Sequence, residues 1–203
     1  PKQAIFLLFF TVIAVNIREI KFNNFESYKK IITLSIGVLS GIIIGSILFH
    51  KIENSLISQM IGFTIILAVI INFTGLKIKK TLLLNNSFSI FYGFLCGIIG
   101  GMTTLVGPLI AVYLVSLNLP KDEFSELISL TIFACLAPIY GIFFIYQPII
   151  LNDFIVSLCF AIPAVVMQFL GFKIRKRLPQ EIFRKVILLM LTIIGILVIY
   201  KNI

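Results

Sequence analysis

Charge is what this chain has least of. Lys, Arg, Asp and Glu make up 12% of its 203 residues, about half the share found in an ordinary soluble domain. Only eight of them are acidic. Glu19, Glu26, Glu53, Asp122, Glu123, Glu126, Asp153 and Glu181 all lie in connections or at the ends of apolar segments, so no carboxylate stands where a mid-membrane proton relay needs one. Histidine occurs once, at His50 beside Lys51, and reads as a polar residue at an interface. Cys96, Cys135 and Cys159 fall singly inside apolar runs, as buried small hydrophobes and not as a disulfide framework. One histidine and no close cysteine pair exclude a Cys/His zinc centre. Ser/His/Asp, HExxH and phosphate-loop patterns are missing. This argues against an enzyme and against an ATPase, and no cofactor or metal is expected. Alternating strand patterns are missing too, which argues against a barrel.

Apolar sequence fills the space left by charge: 60% of residues are hydrophobic and the mean hydropathy is +1.13. Seven apolar segments stand out, at 4–17, 31–49, 56–75, 88–117, 124–146, 149–172 and 182–200. Most approach the roughly 20 residues that cross a bilayer core. The expected fold is therefore an all-α polytopic membrane protein with about seven membrane segments. Its formal charge of +9 does not indicate nucleic acid, because the basic residues sit between apolar spans instead of on one soluble face. Residues 18–30 hold four Lys or Arg, 76–87 hold three and 173–185 hold six, thirteen of the seventeen present. The positive-inside rule puts those three connections in the cytoplasm.

That assignment constrains the fourth segment. With 18–30, 76–87 and 173–185 on one side, the stretch 88–117 must cross an even number of times. A straight span would put the most basic connection outside. The stretch carries Gly100, Gly101, Gly107 and Pro108, so a broken or re-entrant helix is expected there. In a bilayer such a break survives only if it is buried in protein or lines a cavity.

A gapless shift lays Gly45, Lys51, Ile52, Leu56, Ile57, Met60 and Ile61 on Gly171, Arg177, Leu178, Ile182, Phe183, Val186 and Ile187. Pro1-Lys2 and Pro120-Lys121 also open matching segments. The two copies would be inverted in the membrane, an arrangement of secondary transporters with a site at the repeat interface. The expected division is 1–87, the remainder of a first repeat, and 88–203, the second. The partner of the broken element would precede Pro1.

Two glycine triplets, Gly37, Gly41 and Gly45 and Gly93, Gly97 and Gly101, have the spacing that lets membrane helices approach closely. They are read as packing. The run Gly100-Gly101-Met102-Thr103-Thr104-Leu105-Val106-Gly107-Pro108 is read as a site. Pro108 suits the first turn of a half-helix, whose free amides and positive dipole end attract anions. Thr103 and Thr104 would add two hydroxyl donors. The competing reading is a packing kink whose threonines bond their own helix. Gln168, after Pro163, is a second candidate for the cavity. Asn16, Asn72, Tyr113, Tyr140 and Tyr146 are expected to be interhelical hydrogen bonds or interface anchors, and Pro138 and Pro163 to kink their helices.

GFLCGIIGGMTTLVGPLIAVYLVSLNLPKDEF, followed after an apolar span by GFKIRKRLPQEIFRKVILLMLTIIGILVI, resembles the second half of TauE/SafE-type permeases. That family's glycine-rich break, following proline, Leu-Pro turn and late Gly–basic–Leu-Pro–Phe-Arg stretch correspond to Gly100-Gly101, Gly107-Pro108, Leu119-Pro120 and Gly171 through Arg184. Where many members are richer in glycine, this chain has Thr104-Leu105-Val106. The resemblance implies transport of sulfite, sulfonates or related organosulfur anions across a bacterial inner membrane. The expected binding residues are Gly100, Gly101, Met102, Thr103, Thr104, Gly107, Pro108 and Gln168. The expected partners are the lipid bilayer and a small anion, with a coupling proton or ion and a homodimer left open. A passive anion channel and a non-transporting scaffold are the alternatives.

Overall fold

The computed structural model describes residues 7–20, 28–29, 31–53, 85–146 and 151–183, with 56, 59–60, 62–64, 70, 83, 185–186, 189 and 193 as isolated positions. Six helices result: α1 Phe9–Glu19, α2 Ile32–Lys51, α3 Asn86–Thr103, α4 Val106–Ser116, α5 Lys121–Tyr146 and α6 Leu151–Arg177. Most of the segments expected at 56–75 and 182–200, and most of the connection 76–87, lie outside the described residues. Among the described residues, α2, α5 and α6 are each long and apolar enough to cross a membrane, and α4 is a shorter apolar helix. The protein is an all-α polytopic membrane protein. Pro138 and Pro163 sit inside α5 and α6 without ending them. On α6, Ile155, Leu158, Ile162, Val166 and Met167 are exposed, an apolar surface that lipid solvates without cost.

The scaffold is a glycine seam. A β-carbon on Gly37, Gly41 or Gly45 would overlap the carbonyl oxygen of Ile90, Phe94 or Ile98 in α3. In return, Gly93, Gly97 and Gly101 are closed off by the carbonyls of Leu34, Val38 and Ile42 in α2. Contacts advance together along both helices, so α2 and α3 run parallel with backbone against backbone. Lipid tails are as apolar as the side chains, so this close van der Waals contact supplies the association that hydrophobicity cannot. Parallel packing also requires residues 31 and 86 to start at the same face, which returns the chain to that face between them.

Asn85 caps α3, its carboxamide oxygen accepting from the amides of Ser87 (3.0 Å) and Phe88 (3.5 Å). At the far end Thr104 takes the left-handed conformation (φ 60°), the turn that closes many helices. The chain then doubles back. Val106 packs on Gly100, the Tyr92 hydroxyl donates to Leu109 O (3.0 Å), and Tyr113 meets Ser89 (Oη–Oγ 2.8 Å). Helix α4 thus runs antiparallel to α3 and returns toward the face where α3 began. Every residue from Leu109 to Leu114 is buried, as expected of a helix apolar all round. The buried Tyr113 hydroxyl also donates to Leu83 O at 3.3 Å. Tyr113→Phe removes both bonds, leaving Ser89 Oγ donating to Leu83 O (3.1 Å), and is expected to destabilise the protein by about 1 kcal/mol, read as a lower melting temperature in detergent.

Glu19, Lys121 and Arg175 gather at one face. Lys121 Nζ donates to the carbonyls of Arg175 (2.9 Å), Lys176 (3.3 Å) and Leu178 (2.8 Å) at the end of α6. Gln180 donates to Leu119 O at 2.8 Å. Helices α1 and α6 therefore end, and α5 begins, at the same basic face. Nearby, the Tyr28 hydroxyl donates to the buried Glu126 (2.9 Å). Burial and that bond push the phenol up to about 12, so it stays a donor at any physiological pH.

Candidate functional site

The helix breaks at Thr104–Leu105, within the 100–108 run that the sequence marks and just past its glycine pair. Gly100 and Gly101 remain inside α3 because Gly101 is pressed on Ile42 and Ser46 of α2 and Gly100 on Val106. That packing outweighs the roughly 1 kcal/mol by which glycine disfavours a helix. Helix α4 starts at Val106 with no side-chain cap, two residues before Pro108, which occupies the third position. The first amides of such a helix have no intrahelical acceptor, and a third-position proline removes one donor from that set.

A cavity of about 290 Å³ opens at this break. Thr104, Val106 and Gly107 form one wall, Val12 and Asn16 of α1 a second, and Ile132, Cys135, Leu136, Ile139 and Tyr140 of α5 a third. No charged side chain is among them. The local field comes from α4, whose positive dipole end faces the cavity across Gly107. Asn16 is buried, its Nδ2 donating to Val12 O (2.7 Å).

The expected site residues divide. Thr104 and Gly107 line the cavity, whereas Gly100, Gly101, Met102, Thr103 and Pro108 are not part of its wall. The hydroxyls of both threonines are engaged with backbone carbonyls. Thr103, fully buried, donates to Ile99 O (2.8 Å) and accepts from the Leu105 amide (3.3 Å). Thr104 Oγ1 donates to Thr103 O (2.6 Å). Thr103 back-bonds within its own helix and Thr104 satisfies the terminal carbonyl of Thr103, so the bonding expected of a packing kink is present at a break that also carries a cavity. Gln168 stands apart, on α6, donating from Nε2 to Val15 O (2.7 Å) beside a second cavity of about 260 Å³.

Asn16 and Tyr140 are the cavity residues that the sequence placed elsewhere, as hydrogen-bonding or anchoring groups. Their polarity inside apolar segments was visible, but the face each presents was not. The sequence match of Gly45 with Gly171 is not a match in packing: Gly45 is wedged against α3, while nothing among the described residues lies within 4 Å of a β-carbon on Gly171.

The family model described as "Sulfite exporter TauE/SafE" matches residues 1–198. No curated protein and no solved structure matches the chain.

Proposed function

The chain belongs to the TauE/SafE sulfite exporter family, and from that premise we propose that it carries a small sulfur oxyanion, sulfite or a sulfonate, by alternating access around the α3–α4 break. Membership makes it a membrane transporter and not an enzyme. One observation carries the finer reading: a half-helix without a side-chain cap starts inside the protein, with its first turn opening on a cavity that no charged side chain lines among the described residues. Amides and a helix dipole stabilise an anion there. The basic face lies in the cytoplasm of a bacterial inner membrane on this reading, and the 1–87 and 88–203 portions are inverted halves meeting at the break.

The α2–α3 seam holds α4 in place, and the walls that complete the cavity come from α1 and α5. Relative movement of α1 and α5 against the seam would expose the cavity to one face and then the other. Asn16 supplies the polar group facing the α4 terminus. Asn16→Leu is expected to slow sulfite uptake into proteoliposomes by about tenfold, the equivalent of one hydrogen bond to a charged group, with melting little changed. Uptake and counterflow at the wild-type rate would refute this placement of the site.

A further inference from the structure

Toward the basic face, α1, α5 and α6 border the second cavity, a shallow and largely open groove whose polar lining is Glu19, Ser125, Ser129, Gln168 and Arg175. Arg175 reaches from α6 to α1, where its Nη1 donates to Glu19 Oε2 at 2.8 Å, with the two side chains 13% and 15% exposed. This ion pair is incompletely satisfied. Arg175 Nε has no hydrogen-bond partner among the described residues, since Asp122 Oδ1 forms an ion pair with it at 3.6 Å but lies beyond hydrogen-bond reach. Gln168 Oε1, on the same cavity, is also without a partner among them.

A buried donor and a buried acceptor left open on one cavity are unfavourable for a static interface. They suit one that changes partners. A guanidinium presents five donors in a fork that fits an oxyanion, and a protonated oxyanion could donate to Gln168 Oε1 while accepting from Arg175. Two more cations stand close by, Arg18 stacked on Phe169 (3.2 Å) and Lys176 near Phe172 (4.5 Å), and with Arg175 they outnumber the carboxylates Glu19 and Asp122 of the adjoining pocket.

We propose that Arg175 is a second oxyanion site, at the basic mouth of the path to the break, and that Glu19 is the internal carboxylate holding it when no anion is bound. An oxyanion that displaces Glu19 unties α1 from α6. The same α1 walls both cavities, through Val15 and Glu19 below and Val12 and Asn16 above. Occupation of the mouth would thereby loosen the wall of the inner site. The proposal rests on the oxyanion-carrier reading and assigns it a second station. A free anion and a lipid phosphate share the required chemistry, so the test separates them.

Sulfite is titrated calorimetrically into the purified protein in lipid-free non-ionic detergent. Glu19→Gln removes the competitor and is expected to tighten binding by about fivefold or more, whereas Arg175→Gln weakens it by about tenfold, the loss of a charge-assisted hydrogen bond. Asp122→Asn removes the same charge from a side chain 52% exposed and is expected to shift affinity less than about twofold, as screened surface charges do. A merely structural role for Glu19 would weaken binding or leave it unchanged. Equal responses to Glu19→Gln and Asp122→Asn, or none, overturn the second site and leave the break site standing. Binding of short-chain phosphatidylglycerol, but not sulfite, that depends on Glu19 reassigns the site to a headgroup and also overturns it. Absence of both sulfite binding and sulfite transport in the wild type overturns this proposal together with the carrier reading.

Discussion

Leucine at Gly41 or at Gly97 is expected to prevent assembly of the protein in the membrane. The two residues face each other across the seam, and a β-carbon on either already overlaps backbone, Phe94 O in one case and Val38 O in the other. An overpacked side chain is usually relieved by a rotamer change at about 1–3 kcal/mol. Here the obstacle is a carbonyl in a helix, so relief requires the two helices to move apart along their shared length. Doing so forfeits the contacts at all six glycines, because they form one continuous surface. Even alanine at Gly41 should cost about 3 kcal/mol or more on this ground. Gly141 is the internal control: among the described residues nothing lies within 4 Å of a β-carbon there, and alanine should be neutral or up to about 1 kcal/mol stabilising through helix propensity. Size-exclusion profiles and melting curves in detergent compare the variants. A Gly41→Leu protein that is monodisperse and melts with the wild type would disprove the seam as the scaffold.

Gly107→Leu is expected to do the opposite, leaving the fold intact and stopping transport. Among the described residues a β-carbon on Gly107 meets only Ile132 Cδ1, at 3.4 Å, an ordinary contact with a side chain able to move. The rest of a leucine would project into a cavity of about 290 Å³, covering the first-turn amides of α4. Blocking those donors removes the anion's main interaction, and a drop in sulfite transport of about a hundredfold, two charge-assisted hydrogen bonds, is expected. Gly107→Ala sharpens the comparison. It gains up to about 1 kcal/mol of helix propensity, so a protein that melts no lower yet transports more slowly separates site from scaffold. Normal transport by Gly107→Leu would move the site away from the break.

Several features were legible because they are local. A segment's apolar content decides whether it can cross a bilayer, and the described helices at 9–19, 32–51, 121–146 and 151–177 fall on segments that composition marks. The doubling back of 88–117 was legible from charge, since the basic connections 76–87 and 173–185 share a face only if that stretch crosses an even number of times, and α4 lying antiparallel on α3 satisfies that requirement. The glycine triplets announced packing by their spacing.

The position of the break within the 100–108 run was not legible, because glycine only permits a bend, and packing of Gly101 on the α2 backbone and of Gly100 on Val106 keeps both helical. The bend fell on Thr104, a residue that ordinarily avoids the left-handed conformation, which it reaches with its hydroxyl bonded to Thr103 O. Helical periodicity is too weak in all-apolar segments to say which way Asn16 or Tyr140 points, so their meeting with Gly107 depends on how α1 and α5 dock. Residue order by itself determined that this protein crosses the membrane several times, which face is basic, and which stretch must turn back, since each follows from the cost of moving charge or open backbone into hydrocarbon. Tertiary structure alone decided where the turn falls and which polar groups surround it, since those follow from backbone contacts between segments distant in the chain.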